Sequence, residues 1–160
     1  MAKSKINRNI YLAVGAIALA IYGRFFFVKT VGLRNNNPGN IRFNAANDWV
    51  GQIGQDKRGY VIFDKPENGI RAMGKVLDSY ARQGIVKLTQ IISRWAPDNE
   101  NDTASYLAHV ASQTGWDPGF IPVRSEGDYH ALVKAIIKHE NGFIPPSYDD
   151  QFITNALGLA

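Results

Sequence analysis

The residue best suited to chemistry is Glu140, which lies within the stretch AIIKHENGF, residues 135–143. It ends an apolar helical pattern, and the partial negative charge of a helix C-terminus disfavours a second negative charge there. Burial against a neighbour such as Phe143 would raise the pKa of this carboxyl further. A carboxyl that stays protonated near neutral pH is what a general acid needs to protonate a leaving glycosidic oxygen. The competing interpretation is a solvated glutamate on a fraying helix end, which spacing alone favours.

Glycoside hydrolysis usually requires a second carboxylate, and the sequence offers two candidates, Glu67 and Glu100. Both also have ordinary structural explanations. Glu67 follows Asp64 at the spacing of a capping box, in which Asp64 would be the N-cap of a helix. Glu100 lies in the polar stretch PDNENDT, which precedes another helical pattern.

Other kinds of reaction centre are poorly supported. The chain has no Cys, which excludes disulfides, thiol catalysis and Cys-based metal sites. Its three His show no HxxxH or HExxH spacing, and no Ser lies in a GxSxG context. P-loop and GxGxxG motifs are also missing. We therefore expect neither a metal ion nor a cofactor.

The net charge of +4 is unevenly distributed along the 160 residues. Residues 1–34 carry six basic residues and no acid, whereas residues 35–160 carry 12 basic residues and 14 acids, a net charge of −2. A slightly acidic body lacks the broad basic surface of a duplex-binding protein, so no specific nucleic acid partner is expected. The basic N-terminal segment suits anionic lipid headgroups.

Residues 10–28 form an apolar run in which Arg24 is the one charge. As a helix, these residues would span roughly 28 Å, close to the hydrocarbon core of a bilayer. We expect a single transmembrane anchor within residues 1–30, a body domain over 31–160, and association with a virion or host membrane. A cleaved signal peptide with the motif Ala18-Leu19-Ala20 is the alternative, ahead of a buried soluble helix.

The body that must position Glu140 is expected to be α+β and mostly helical. Gly32–Asn40 is predicted to be a loop, and Ile41–Phe43 and Tyr60–Phe63 short strands. Helices are predicted from the DKPE segment to Gly84, over LTQIISRW, from Thr103 as N-cap to Gly115, and from Asp128 to Glu140. The stretch Tyr148–Leu157 would add a short helix. Sugars stack on aromatic rings, and the candidate rings are those of Trp49, Tyr60, Trp95, Tyr106, Trp116 and Tyr129.

The order of motifs resembles a family of domains in virion-associated and prophage proteins, described as phage structural proteins or peptidoglycan hydrolases. The motifs are NNNPGNIRF, Trp49-Val50-Gly51, YVIFDKPENGIRAMGKVLDSYARQG and IISRWAPDNENDTASYLAHVASQTG, and the resemblance covers residues 33–142.

A more distant similarity connects the chain to the glucosaminidase and lytic transglycosylase families of the lysozyme superfamily. Asn36–Arg42 resembles the Asn-rich turn of the glucosaminidases, and Ala96–Tyr106 their Ala-Thr-Asp-Pro-x-Tyr stretch. In those families a helix that ends in Glu-Ser-Gly precedes the turn, whereas here Glu140-Asn141-Gly142 comes last. The resemblance therefore implies a lysozyme-like domain that is circularly permuted, with Glu140 as the catalytic acid.

The resemblance also implies a function, a membrane-anchored virion enzyme that cuts peptidoglycan glycan strands so that the genome can cross the cell wall. Asn37 and Asn40 would bind the sugar, and Trp95 and Tyr106 would stack on it. Its partners would be glycan strands, a lipid membrane and other virion proteins. Two alternatives remain: a non-catalytic structural protein of the virion with the same fold, and a peptidase that acts on the peptide stems.

Overall fold

Six α-helices and a two-stranded sheet make up the part of the chain that the computed structural model describes, residues 29–99 and 102–159. The mostly helical α+β composition expected from the sequence is confirmed. In chain order the elements are α1 (Val31–Arg34), β1 (Gln52–Gln55), β2 (Val61–Phe63), α2 (Pro66–Arg82), α3 (Leu88–Trp95), α4 (Thr103–Thr114), a short 3-10 helix (Arg124–Glu126), α5 (Asp128–Asn141) and α6 (Asp150–Leu157).

The fold prediction is corrected in one respect, the transmembrane helix. Within residues 29–99 and 102–159, no helix has both the length and the apolar character that crossing a bilayer requires. The structure therefore does not support a membrane-spanning helix as part of this fold. Residues 10–28, on which the prediction rested, lie outside the described residues.

The sheet is a hairpin in which β1 pairs with β2 in antiparallel orientation, with an irregular register near Gly54. The inward side chains of β2, Val61 and Phe63, are 0% and 1% exposed. The third strand expected at Ile41–Phe43 is reduced to a single bridge between Arg42 and Tyr60. The expected loop Gly32–Asn40 likewise begins with the one helical turn of α1.

The N-caps of two helices differ from the predicted ones. At α2 the N-cap is Lys65, because the carboxylate of Asp64 instead accepts a hydrogen bond of 2.8 Å from the side-chain amide of Asn68. At α4 the N-cap is Asp102, whose carboxylate accepts from the backbone N–H of Ser105 at 3.0 Å. Thr103 is the first helical residue instead. The bounds of α3 agree with the predicted segment LTQIISRW.

The core is formed by the apolar faces of α2 and α5, which pack against each other, with α6 lying on α2 and α4 on α5. On α5 the predicted apolar positions are all fully buried; they are Leu132, Val133, Ile136 and Ile137. Since these side chains fix the rotation and the axial position of α5, they also fix where its C-terminal residues Glu140 and Asn141 emerge. That end of α5 contacts residues 35–40, which follow α1 and which we call the Asn-rich loop.

Candidate active site

The side chain of Asn37 stabilises the Asn-rich loop through internal hydrogen bonds to the backbone. Its side chain is completely buried, and its amide nitrogen donates to the backbone carbonyls of Ile41 and Val61, each at 2.9 Å. The amide oxygen accepts from the backbone N–H of Ile41, also at 2.9 Å. Because all of these bonds are internal and no part of the side chain reaches solvent, the predicted contact of Asn37 with a sugar is wrong. Asn37 joins the loop to β2.

The path of the loop depends on two asparagines with left-handed backbone conformations. Asn36 and Asn40 have φ angles of 51° and 49°, which asparagine tolerates better than most residues. The carbonyl of Asn36 packs directly on α2 at Gly69, where a Cβ atom would overlap it. This close approach to α2 helps to set the position of Asn40 further along the loop.

The loop and the end of α5 are joined by direct hydrogen bonds. The side-chain amide of Asn40 donates to one carboxylate oxygen of Glu140, Oε2, at 2.7 Å. The next residue, Asn141, donates to the carbonyl of Pro38 at 2.8 Å and accepts from the hydroxyl of Thr30. Two segments that lie about a hundred residues apart in the sequence are therefore held in direct contact.

Tyr106, on helix α4, forms a hydrogen bond with Glu140. Its hydroxyl donates to the other carboxylate oxygen, Oε1, at 2.8 Å. The ring is only 1% exposed and stacks on His139, with ring centroids 3.7 Å apart. The predicted role of Tyr106 as a stacking surface for a sugar is therefore wrong, because neither ring face is open to a ligand.

The environment of Glu140 raises the pKa of its carboxyl. Burial is the dominant cause, and hydrogen bonds from Asn40, Tyr106 and Trp95 act in the opposite direction without cancelling it. Burial and the nearby carboxylate raise the pKa of Tyr106 well above its usual range, so its hydroxyl keeps its proton. Burial, with a contribution from His109, lowers the pKa of His139, so the neighbour of Glu140 is uncharged at neutral pH.

Glu140 faces an open cleft of about 550 Å³, which we call the Glu140 cleft. Glu140 is the one carboxylate in its lining, and all of the lining residues belong to the described part of the chain. Five aromatic residues line the cleft, including Trp95, whose ring meets that of Tyr80 edge-on at 6.5 Å. The aromatic residues are Phe43, Trp49, Tyr60, Tyr80 and Trp95, and the cationic ones are Arg42 and Arg94.

Of the two candidates for a second carboxylate, the structure describes Glu67. This residue lies in the first turn of α2 and does not line the Glu140 cleft, so the structure does not bring it to Glu140. Its charge instead acts on Tyr148, where burial first and then Glu67 raise the pKa to about 12. Glu100 lies outside the described residues. Within the described ranges, no group of three or more His, Asp or Glu side chains is arranged to hold a metal ion.

Sequence reasoning missed three lining residues, Arg42, Tyr80 and Arg94. Tyr80 occupies an apolar helical position, which predicts core packing, although the residue lines the cleft. The two arginines have no motif of their own. Arg42 is adjacent in sequence to the Asn-rich loop and Arg94 to Trp95, and that adjacency is the one signal that pointed to them.

Comparison with known proteins gives one informative relative. The chain is 35% identical to Protein P5 of Pseudoalteromonas phage PM2 over 150 residues, which cover 89% of this chain and 91% of that protein. No protein-family model matches the chain. The relative confirms the bacteriophage context expected from the sequence.

Proposed function

We propose that this chain, which belongs to the family of Protein P5 of Pseudoalteromonas phage PM2, cleaves the glycan strands of peptidoglycan with Glu140 as the general acid. One observation carries the proposal. Glu140 is a carboxyl with a raised pKa at the wall of an open, aromatic-lined cleft, and among the described residues it is the one carboxylate in the cleft lining. A buried carboxyl that holds its proton near neutral pH can give that proton to a leaving oxygen.

In this mechanism the Glu140 proton passes to the glycosidic oxygen as the bond between that oxygen and the anomeric carbon breaks. Within residues 29–99 and 102–159, the cleft lining offers no second carboxylate to the positive charge that develops on the sugar. The acetamido oxygen of an N-acetylated sugar can attack the anomeric carbon instead, as in substrate-assisted glycosidases. Water or the sugar's own 6-hydroxyl then attacks the anomeric carbon and displaces the acetamido oxygen, while the Glu140 carboxylate takes the proton of the attacking group. Attack by water gives a reducing end, and attack by the 6-hydroxyl gives a 1,6-anhydro end.

The surrounding side chains suit a glycan substrate. The Trp95 ring is half-buried at the cleft, and Trp49 and Tyr60 line the same space. Aromatic faces of this kind stack on the apolar faces of sugar rings. Asn40 and Tyr106 hold the two oxygens of Glu140, so the acid has a fixed orientation toward the cleft.

The resemblance to lytic transglycosylases and glucosaminidases forms part of this proposal. It is supported by the contact between the Asn-rich loop and the Glu-bearing end of α5, two motifs that follow one another along the chain in those families. In a phage, such an activity would open the cell wall locally for passage of the genome. Peptidoglycan strands would be the substrate, and other proteins of the phage particle would be the neighbours of this chain.

A second candidate function is a non-catalytic module of the phage particle. The observation that favours it is that both carboxylate oxygens of Glu140 already accept hydrogen bonds, one from Asn40 and one from Tyr106. A carboxylate bonded in this way also joins α4, α5 and the loop, which is a structural role.

Zymography of the full chain on purified peptidoglycan separates the two candidates. We expect a clearing band for the wild type and at least a hundredfold loss of activity for Glu140→Gln, because the amide cannot donate the required proton. Glu67→Gln is the matched control and should keep full activity, since Glu67 lies outside the cleft lining. A band that survives Glu140→Gln would refute the assignment of Glu140, and a wild type without a band would favour the non-catalytic module. Mass analysis of the released fragments distinguishes anhydro from reducing ends, and free peptides would indicate a peptidase.

A further inference from the structure

We propose that a second groove, which opens sideways from the Glu140 cleft, binds the carboxylates of the peptide stems carried by the glycan strand. The inference rests on the proposed function, because it names the part of the substrate that this second surface contacts. We call this surface the side groove. It has a volume of about 400 Å³ and is bounded by α2 and by residues 46–50, which precede β1.

The side groove is continuous with the Glu140 cleft. Asn47, Trp49 and Ser79 line both spaces, so the two meet over these side chains. A polymer lying in the cleft would therefore pass the mouth of the groove. A substituent that branches from the polymer can enter the groove while the main strand stays beside Glu140.

The side groove is cationic because of the way α2 presents its side chains. Arg71, Lys75 and Arg82 all line it, at spacings of four and seven residues that place them along one face of the helix. Asp48 is the one acid in its lining. The lining thus carries a net charge of +2, from three cations and one carboxylate, whereas residues 35–160 as a whole carry −2.

These cations are available to a ligand. Within residues 29–99 and 102–159, no carboxylate lies in ion-pair range of Arg71 or Arg82, and both side chains are exposed. Lys75 has only a distant partner in Asp78, at 3.7 Å, and its own side chain is 53% exposed. Asp78 is shared with Arg124, which lies closer to it at 3.2 Å.

A carboxylate attached to a sugar strand is the ligand that fits both the positive charge of the side groove and its continuity with the Glu140 cleft. The planar guanidinium groups of Arg71 and Arg82 match the geometry of a carboxylate, to which arginine binds through two parallel hydrogen bonds. Peptide stems branch from the glycan at regular intervals and carry free carboxylates. The side groove would thereby select strands that bear stems over bare sugar polymers.

The test is a sedimentation assay with the full-length chain carrying Glu140→Gln, so that binding is measured without cleavage. Three insoluble substrates are compared: intact sacculi, sacculi whose carboxylates have been amidated, and glycan strands stripped of their stems. The test variant adds Arg71→Glu and Lys75→Glu. The control variant adds Lys57→Glu instead, a change at an exposed lysine of the hairpin turn that lines neither space.

We expect the test variant to bind intact sacculi about tenfold more weakly than its parent, and to bind amidated or stem-free material as its parent does. The control should bind all three substrates normally. Equal binding of parent and test variant to intact sacculi would overturn the inference, as would the same loss on amidated or stem-free glycan. Binding of the parent to vesicles of phosphatidylglycerol that is lost in the test variant, without binding to sacculi, would assign these cations to a lipid surface and also overturn it.

The outcome can be separated from that of the proposed function. Charge-dependent binding to intact sacculi by a wild-type chain that cleaves nothing would refute the enzymatic proposal and leave the side groove as a stem-binding site. Conversely, a chain that keeps Glu140 and carries Arg71→Glu and Lys75→Glu could cleave intact and amidated sacculi like the wild type, with no change in binding. That result would leave the enzymatic proposal standing and refute the side groove as a stem-binding site.

Discussion

Glu140 is a carboxyl whose surroundings act on its pKa in opposite directions. Burial favours the protonated form, whereas the donors on Asn40, Tyr106 and Trp95 favour the carboxylate. A general acid needs this balance, because it must hold its proton before the reaction and release it during the reaction. The hydroxyl of Tyr106 is the donor that can be removed with the smallest change in shape.

Tyr106→Phe should therefore move the alkaline limb of the pH profile of kcat/KM to higher pH. Removal of a donor that stabilises the carboxylate raises the pKa of Glu140 further, so the acid stays protonated to higher pH. We also expect kcat to fall on the order of tenfold, because the carboxyl loses one of the contacts that orient it. The measurement is the pH dependence of cleavage of soluble glycan fragments.

Tyr129→Phe provides the control for this prediction. Tyr129 is another buried tyrosine, 5% exposed, which contacts Arg124 through its ring and does not line the Glu140 cleft. Its substitution should leave the profile unchanged. A limb that moves to lower pH in Tyr106→Phe, or stays in place, would contradict the role given to the Tyr106 hydroxyl.

At the scale of single residues, the sequence singled out Glu140 and Asn40, which the structure brings together, but it misjudged two of their neighbours. Glu140 and Asn40 were identified because a local motif marks each of them. Asn37 was misassigned because its partners are backbone carbonyls of Ile41 and Val61, and no side-chain pattern reveals that a polar group bonds backbone. Tyr106 was misassigned because its spacing along α4 does not indicate whether its ring is buried or faces a cleft.

Among the elements, α2 contains two glycines that its helical pattern does not explain, and close packing requires one of them. Gly69 and Gly74 both interrupt a helix in which alanine would be more favourable by about 1 kcal/mol per site. At Gly69 a Cβ atom would overlap the backbone carbonyl of Asn36, which cannot move without shifting the whole Asn-rich loop. At Gly74 it would approach Leu157 at 2.9 Å, where the contact is the tip of a flexible side chain.

Gly69→Ala should consequently lower the free energy of unfolding by about 1–3 kcal/mol, despite the gain in helix propensity. It should also impair cleavage, because a shifted loop no longer places Asn40 against Glu140. Urea denaturation and the zymography assay measure the two effects.

Gly74→Ala is the matched control in the same helix, and we expect its free energy of unfolding to change by less than about 1 kcal/mol. If Gly69→Ala proved as stable and as active as Gly74→Ala, the close packing of the loop on α2 would not be what positions Asn40.

The elements themselves were largely predictable where strong local signals frame them. The bounds of α3 follow from an apolar periodicity that ends just before Pro97, and those of α5 from one that ends before Gly142. The N-cap of α2 was missed because the Asp64 carboxylate accepts a hydrogen bond from the side chain of Asn68 and not from a backbone N–H at the start of the helix. The strand β1 was missed because Ile53 is its one β-branched residue, and the other residues of Gln52–Gln55 are two glutamines and a glycine.

For the molecule as a whole, Glu140 should reduce stability at neutral pH. An acid with a raised pKa in the fold binds its proton more tightly when folded than when unfolded. The free energy of unfolding therefore falls as pH rises from the unfolded pKa, about 4.3, through the folded pKa, and stays lowered above it. A residue kept in place at such a cost is typical of a functional site.

Glu140→Gln should accordingly unfold at a higher temperature than the wild type at pH 7–8, by a few degrees, while losing its activity. Below about pH 4 the difference should shrink, because Glu140 is then protonated in both states. Thermal denaturation followed by circular dichroism at several pH values measures this. A wild type that is more stable than Glu140→Gln at pH 8 would contradict the burial argument.

The hydrogen bond between Asn40 and Glu140 joins positions 100 residues apart in the chain. A polypeptide leaves the ribosome from its N-terminus, so the Asn-rich loop is made long before the helix that it must meet. Until α5 has emerged and packed, the acid has neither its buried environment nor its donors. In a truncated or partly synthesised chain, Glu140 therefore lacks the surroundings that raise its pKa and orient it. The appearance of activity during synthesis would report that α5 has packed against the rest of the fold.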